Sequence, residues 1–143
     1  MIPVIEITGG KKAQRERLQS IAPILLKKLN LHKLGLVLEI ELKQMYKFEY
    51  GFCINADCEN RSTREFIIEL NKTLDMSTLI QTMAHEFVHV KQFARGELIE
   101  NNNGMMEWKG RKCHRKKYDE YPWEKEAWDT ELKLTEGILW NNK

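Results

Sequence analysis

The chain has 143 residues, enough for one domain with a modest core and too few for a separate specificity domain. Hydrophobic residues make up 42% and charged residues 31%, which excludes an intrinsically disordered chain, and a net charge of +2 excludes a molecule whose whole surface attracts nucleic acid. Three cysteines, an odd number, argue against a disulfide framework and point to a reducing compartment.

The N-terminal "MIPVIEITGGKK" carries an apolar run far too short for a signal peptide, and no apolar stretch approaches membrane-spanning length. Residues 3–8 read as a short strand closed by Gly9 and Gly10. A basic amphipathic helix is expected from about Lys11 to Leu29, with Leu18, Ile21, Ala22, Leu25 and Leu29 on one face. Pro23 predicts a kink or a restart inside it, with Ser20 as the cap of a second segment. Three strands follow, at 35–43, 46–55 and 64–71, and their succession reads as an antiparallel meander. A helix is expected from Asp75 or Ser77 to about Arg95, stopped at Gly96. Residues 97–121 lack a clear period and read as loop; Pro122 then suits the first turn of a last helix reaching about Leu139. No repeat, low-complexity segment or second domain interrupts residues 1–143, so the expected class is a single α+β domain.

The stretch that carries chemistry is "TMAHEFVHVKQ", residues 82–92. His85 and His89 are four apart, about 40° on a helical wheel, so both imidazoles leave one face a turn apart and can chelate one tetrahedral Zn²⁺. Glu86 lies about 100° round, placed to take a proton from water without ligating the metal. Leu79, Ile80, Met83, Phe87 and Val90 cluster on the other side, so that side packs into a core and the histidines line a cleft. The plainer alternative is two half-exposed histidines with a chance glutamate between them.

A catalytic zinc needs a third protein ligand. "PWEKEAW", residues 122–128, offers two carboxylates. With Glu124 at the origin, Ala127, Trp128, Leu132, Leu134, Ile138 and Leu139 lie within about 80° of it, whereas Glu126 points about 160° away, among Lys125, Asp129, Lys133 and Glu136. A carboxylate in the middle of an apolar stripe is costly unless it is paired, which selects Glu124 as the ligand. A buried Lys or Arg partner is the competing explanation. Glu131, two turns on, is placed to orient a ligand from behind.

An H-E-x-x-H helix followed by E-x-x-A on a later helix resembles the gluzincin metallopeptidases. "MAHEFVHVKQ" with "YPWEKEAWD" resembles the small stand-alone gluzincin-like proteins of phage and bacterial genomes, with the minimal zincin core shared by SprT-like proteins. The resemblance spans roughly residues 64–130. It implies Zn²⁺ as cofactor, His85, His89 and Glu124 as ligands, Glu86 as general base, and a peptide or protein substrate. It also implies a cytoplasmic location, the host's if phage-encoded, and a small, mainly antiparallel sheet whose edge strand faces the cleft; residues 64–71 fit that edge, where an extended peptide would add as a strand. Where many gluzincins carry an Asp after the E-x-x-A element, this chain has Trp128, with Asp129 one residue late. A zincin-shaped binding or regulatory module with little turnover is the alternative function.

Peptide hydrolysis also needs a donor for the oxyanion. His114, Tyr118 and Tyr121 precede Glu124, and Tyr121 is nearest to it in sequence. "KGRKCHRKK", residues 109–117, reads as a solvated loop, or as a local site for an acidic protein or nucleic acid. Cys53, Cys58, Cys113 and His114 have poor spacing for a second zinc site and read as free thiols and a loop histidine. A soluble monomer without membrane contact is expected.

Overall fold

The computed structural model describes residues 2–56, 63–101, 103–113 and 118–138, with backbone only at residue 119. It is a mixed α+β fold with three helices and two small sheets. The first sheet contains β1 (Val4–Gly9), β2 (Val37–Lys43), β3 (Gly51–Asn55) and β4 (Glu65–Asn71), in the spatial order β1-β2-β4-β3. In β2 and β4 alternate residues point one way into the core: Leu38, Ile40 and Leu42 from β2, and Phe66, Ile68 and Leu70 from β4. That period of two is the mark of a sheet covered on one face. The covering layer is α1 (Lys12–Lys28) and α2 (Met76–Ala94), which pack on the strands and on each other.

The meander expected from sequence is replaced by a mixed sheet. β1 pairs with β2 in parallel, and β2 pairs with β4 in parallel; the β3–β4 pair is antiparallel. The sheet is therefore mainly parallel, not mainly antiparallel. Parallel neighbours need a long crossover, and α1 supplies the first. After β2 the chain passes to the outer position, lays down β3, and returns as β4 into the gap. Residues 65–71 are thus a central strand, and β3 is the edge. Burial explains the choice: Phe66, Ile68, Leu70 and Asn71 are all buried, whereas β3 is shorter and leaves Phe52 and Ile54 exposed.

Three further expectations change. α1 continues through Pro23 without a restart. Gln19 and Pro23 both face solvent, so water can serve the carbonyl left without an amide donor, and Ser20 Oγ donates back to the Arg17 carbonyl instead of capping (2.8 Å). The described residues of 97–121 are not mostly loop: β5 (Leu98–Glu100), β6 (Met106–Trp108) and β7 (Arg111–Cys113) form an antiparallel sheet of three-residue strands. Lys109 (φ 51°) and Gly110 (φ 86°) make the tight turn between β6 and β7. The last helix, α3 (Pro122–Thr135), ends about a turn short of Leu139.

α2 starts at Asp75, whose carboxylate accepts the Thr78 amide at 2.8 Å, and stops at Arg95 with Gly96 at φ +73°. Its Leu79, Ile80, Met83, Phe87 and Val90 are buried as the pattern predicts. α3 packs on α2, so α2 is enclosed from two sides. Among the described residues no helix is long and apolar enough to cross a membrane.

Gly51 sets how closely the edge strand approaches α2. A Cβ there would lie 2.8 Å from the Glu69 carbonyl oxygen, 2.9 Å from Thr82 Cγ2 and 3.0 Å from Leu70 Cδ2. Gly51→Ala is expected to lower the unfolding free energy by about 1–3 kcal/mol in urea denaturation; an unchanged midpoint would contradict this packing.

Candidate metal centre

α2 and α3 bring the site together. His85 and His89 project from α2 and Glu124 from the first turn of α3, which Pro122 opens. The ligand atoms of these three residues all lie within 4.8 Å of one another, and each residue is buried. Glu124 Oε1 is 3.0 Å from His85 Nε2 and 3.1 Å from His89 Nε2. The competing explanation for Glu124, a buried Lys or Arg, is not met among the described residues: its ion-pair partners are the two histidines. On the same face of α3, Ala127 and Leu134 are buried as expected, whereas Trp128 and Leu132 are exposed, and Trp128 turns to the cleft.

The other ring nitrogens decide what those Nε2 atoms carry. His85 Nδ1 lies 3.2 Å from Glu131 Oε1, and His89 Nδ1 lies 2.8 Å from Gln92 Oε1. Both partners are acceptors, so each Nδ1 carries the donated proton. A neutral imidazole then has only a lone pair at Nε2. Two lone pairs and a carboxylate oxygen converge on one point, which is a repulsive arrangement unless positive charge sits among them. Extra protons on the imidazoles can supply it, and so can a metal ion. The group could therefore hold a metal, and the orientation of each ring by a hydrogen bond on its far side is the usual support for a metal-bound histidine.

The electrostatics agree. Burial pulls the His85 imidazole down, but hydrogen bonds to Glu124 and Glu131 and the Glu86 charge outweigh it and push its pKa up to about 10. The same contest, burial against Glu124 and Glu86, leaves His89 raised. Glu124 is pushed up by burial yet held at about 2 by its bonds to His85 and His89. Glu86 is buried at the cleft floor and raised, chiefly by that burial and against the pull of the histidine charges.

The cleft over His85 and Glu86 has a volume of about 360 Å³. The edge strand and the loop before it form one wall, through Phe48, Tyr50 and Phe52; Tyr118 and Trp128 form the other. Glu49, Gly51, Thr78, Gln81, Thr82 and Glu131 complete the lining, and among the described residues no lysine or arginine takes part in it.

The oxyanion candidates separate. Tyr121 caps α3 and stacks on Trp123 (4.4 Å, 13°), beside Met106 and Cys113, away from the cleft. His114 lies outside the described residues, as do Cys58 and residues 115–117 of the basic loop. Of the two described candidates Tyr118 is the one placed in the cleft, edge-on to Trp128. Desolvation of its hydroxyl, then the Glu124 and Glu86 charges, hold the phenol above the usual range, although the side chain as a whole is exposed. Lys109 lies over the Trp108 ring at 5.1 Å. Cys53 is a free thiol, and the three-residue group above is the cluster among the described residues that could hold a metal ion.

Two site residues escaped the sequence reading. Gln92 is fully buried and holds His89, and Glu126, expected on a solvated face, accepts from Gln92 Nε2 at 3.0 Å and from Lys91 at 3.2 Å. The available signal was the three-residue spacing from His89 to Gln92, which places them on one helical face. Comparison with protein-family models, with curated proteins and with solved structures finds no match for the chain.

The pKa directions give a signed prediction. His85 is raised above its ordinary 6.5 in the fold, so its protonated form stabilises the metal-free protein fully below pH 6.5, and that contribution is lost as pH rises towards about 10. The metal-free urea midpoint is expected to fall across that interval, and metal binding is expected to release protons, read as buffer-dependent heat in calorimetry. A metal-free midpoint that stays flat across it would contradict the assignment.

Proposed function

We propose that the protein is a zinc-dependent metallopeptidase of the minimal gluzincin type. The observation that carries this reading is the convergence of His85 Nε2, His89 Nε2 and a Glu124 oxygen with both Nδ1 protons already committed, beside a buried Glu86 that takes no part in the cluster. Two imidazoles and one carboxylate facing an open cleft are a donor set suited to catalytic zinc; calcium and magnesium favour oxygen-only shells. The same donor set also suits ferrous iron. Glu86 favours zinc and hydrolysis, because a carboxylate beside the ligands but outside the cluster is what a water-activating site requires.

Zinc held by His85, His89 and Glu124 supplies Lewis acidity, polarising a carbonyl and bringing the pKa of water towards neutrality. The chain's own residues do the rest. Glu86 takes the proton of the attacking water and passes it to the leaving amine; its raised pKa brings it closer to the working pH of such a shuttle. Tyr118 keeps its hydroxyl proton at neutral pH and donates it to the developing oxyanion. The outer edge of β3, terminal in its sheet, offers backbone groups to an extended peptide. That is the edge-strand role the resemblance assigned to residues 64–71, transferred to 51–55. The edge ends at Gly51 and Phe52, both of which line the cleft.

Glu86→Gln is expected to keep zinc and lose about 10²–10⁴-fold in peptide cleavage, followed by mass spectrometry of digested peptide mixtures. Equal cleavage by the variant would refute the base assignment. A cleft that binds peptides with no cleavage by either form would favour the regulatory module instead. Tyr118→Phe is expected to lower kcat about 10²–10³-fold with zinc content unchanged, whereas Tyr121→Phe leaves kcat unaltered. The reverse pattern would restore Tyr121 as the donor.

A further inference from the structure

The two histidines are held from behind in different ways. For His85 the support is a carboxylate in direct contact, Glu131. For His89 it is an amide, and an amide is ambiguous, because it can present either its oxygen or its nitrogen. If Gln92 turned its nitrogen to His89, the ring would have to accept at Nδ1 and carry its proton at Nε2. That tautomer cannot bind a metal through Nε2.

The surroundings of Gln92 remove the ambiguity. Its Nε2 donates to the Trp123 carbonyl oxygen at 3.0 Å and to Glu126 Oε1 at 3.0 Å. Both N–H bonds are spent on groups that only accept. Turning the amide would set its oxygen against a carbonyl and a carboxylate, in a position where Gln92 is fully buried. Glu126 is itself held by Lys91, whose Nζ lies 3.2 Å from the same Oε1 and 2.8 Å from Glu97.

We propose that Lys91, Glu126 and Gln92 form a positioning relay that fixes the amide of Gln92 and, through it, the metal-binding tautomer of His89. None of the three touches the reacting atoms. Glu126 acts on the metal centre through two intervening groups, which accounts for a carboxylate two residues after a ligand turning towards α2. The relay also makes α3 a double contributor: it gives Glu124 to the cluster and, through Glu126 and the Trp123 carbonyl, sets the ligand that α2 provides.

The proposal rests on the zinc reading above, and its test is zinc affinity, measured on folded protein by competition with a chelator. Urea unfolding of the metal-free variants runs alongside. Glu126→Gln replaces an obligate acceptor with a group that can also donate, so one of the two acceptors that hold the Gln92 amide is lost and only the Trp123 carbonyl remains; zinc affinity is expected to fall about tenfold. Gln92→Glu sets a carboxylate against Glu126 and the Trp123 carbonyl and is expected to fall at least as far. In the double variant Gln92→Glu/Glu126→Gln, the carboxylate at position 92 accepts from His89 Nδ1 and from the amide at position 126. The Trp123 carbonyl still faces that carboxylate, so affinity is expected to recover only in part, to about threefold or more above the Gln92→Glu single variant.

A purely structural role would lower the unfolding midpoints of the single variants, leave zinc affinity unmoved and give no rescue. A folded Glu126→Gln protein that binds zinc as wild type does would overturn the relay while leaving the zinc site intact. Two weakened single variants with no recovery in the double variant would overturn it as well. A wild-type protein that takes up no zinc removes the metal centre and the relay together.

Discussion

The rest of the structure answers to one electrostatic constraint. Three acceptor atoms, two imidazole Nε2 and one carboxylate oxygen, meet in a buried space, with the Glu86 and Glu131 carboxylates close by. Among the described residues no lysine or arginine lines the adjoining cleft. Burying uncompensated negative charge is costly by several kcal/mol, so positive charge has to enter, as protons when the site holds no metal and as a cation when it does. The raised His85 and the depressed Glu124 are the two sides of this requirement.

The scaffold satisfies the constraint with rigid elements rather than loops. α2 lies between the sheet and α3, so the ring positions of His85 and His89 are set by a helix packed on two sides. Asp75 fixes where that helix begins. Pro122 fixes where α3 begins, two residues before Glu124. The bare position at Gly51 lets the edge strand close on Thr82, one turn before His85 and Glu86. The cleft is then a consequence of the packing: β3 and the loop before it form one wall, and Tyr118 and Trp128 form the other. The core that positions the histidines and the cleft that would receive a substrate share one helix.

The His85, His89 and Glu124 cluster was legible because helical periodicity is a local property. Four-residue spacing put His85 beside His89, and the apolar neighbours of Glu124 marked it as a carboxylate in the wrong surroundings. Glu131 followed from the same wheel and does reach His85 Nδ1. What the wheel could not carry was contact between helices. Glu126 points away from the apolar stripe of α3, yet α2 lies on that side with Lys91 and Gln92, so the face is not solvated. Strand alternation was equally one-sided. It located β2, β3 and β4 but carries no sign for direction, so the return of β4 between β2 and β3 was invisible. The strands of β5, β6 and β7 are three residues each, below the length at which alternation can be counted. Tyr121 was favoured over Tyr118 by proximity in sequence, yet Tyr118 lines the cleft and the Tyr121 ring does not.

The most direct test of the central claim is the metal content of purified protein by elemental analysis, after zinc is supplied and excess is removed, for wild type beside Glu124→Ala. About one zinc per wild-type chain, lost or strongly reduced in the variant, is the expected result. Wild-type protein that is folded and holds no zinc, or a variant that holds as much as wild type, would contradict the claim.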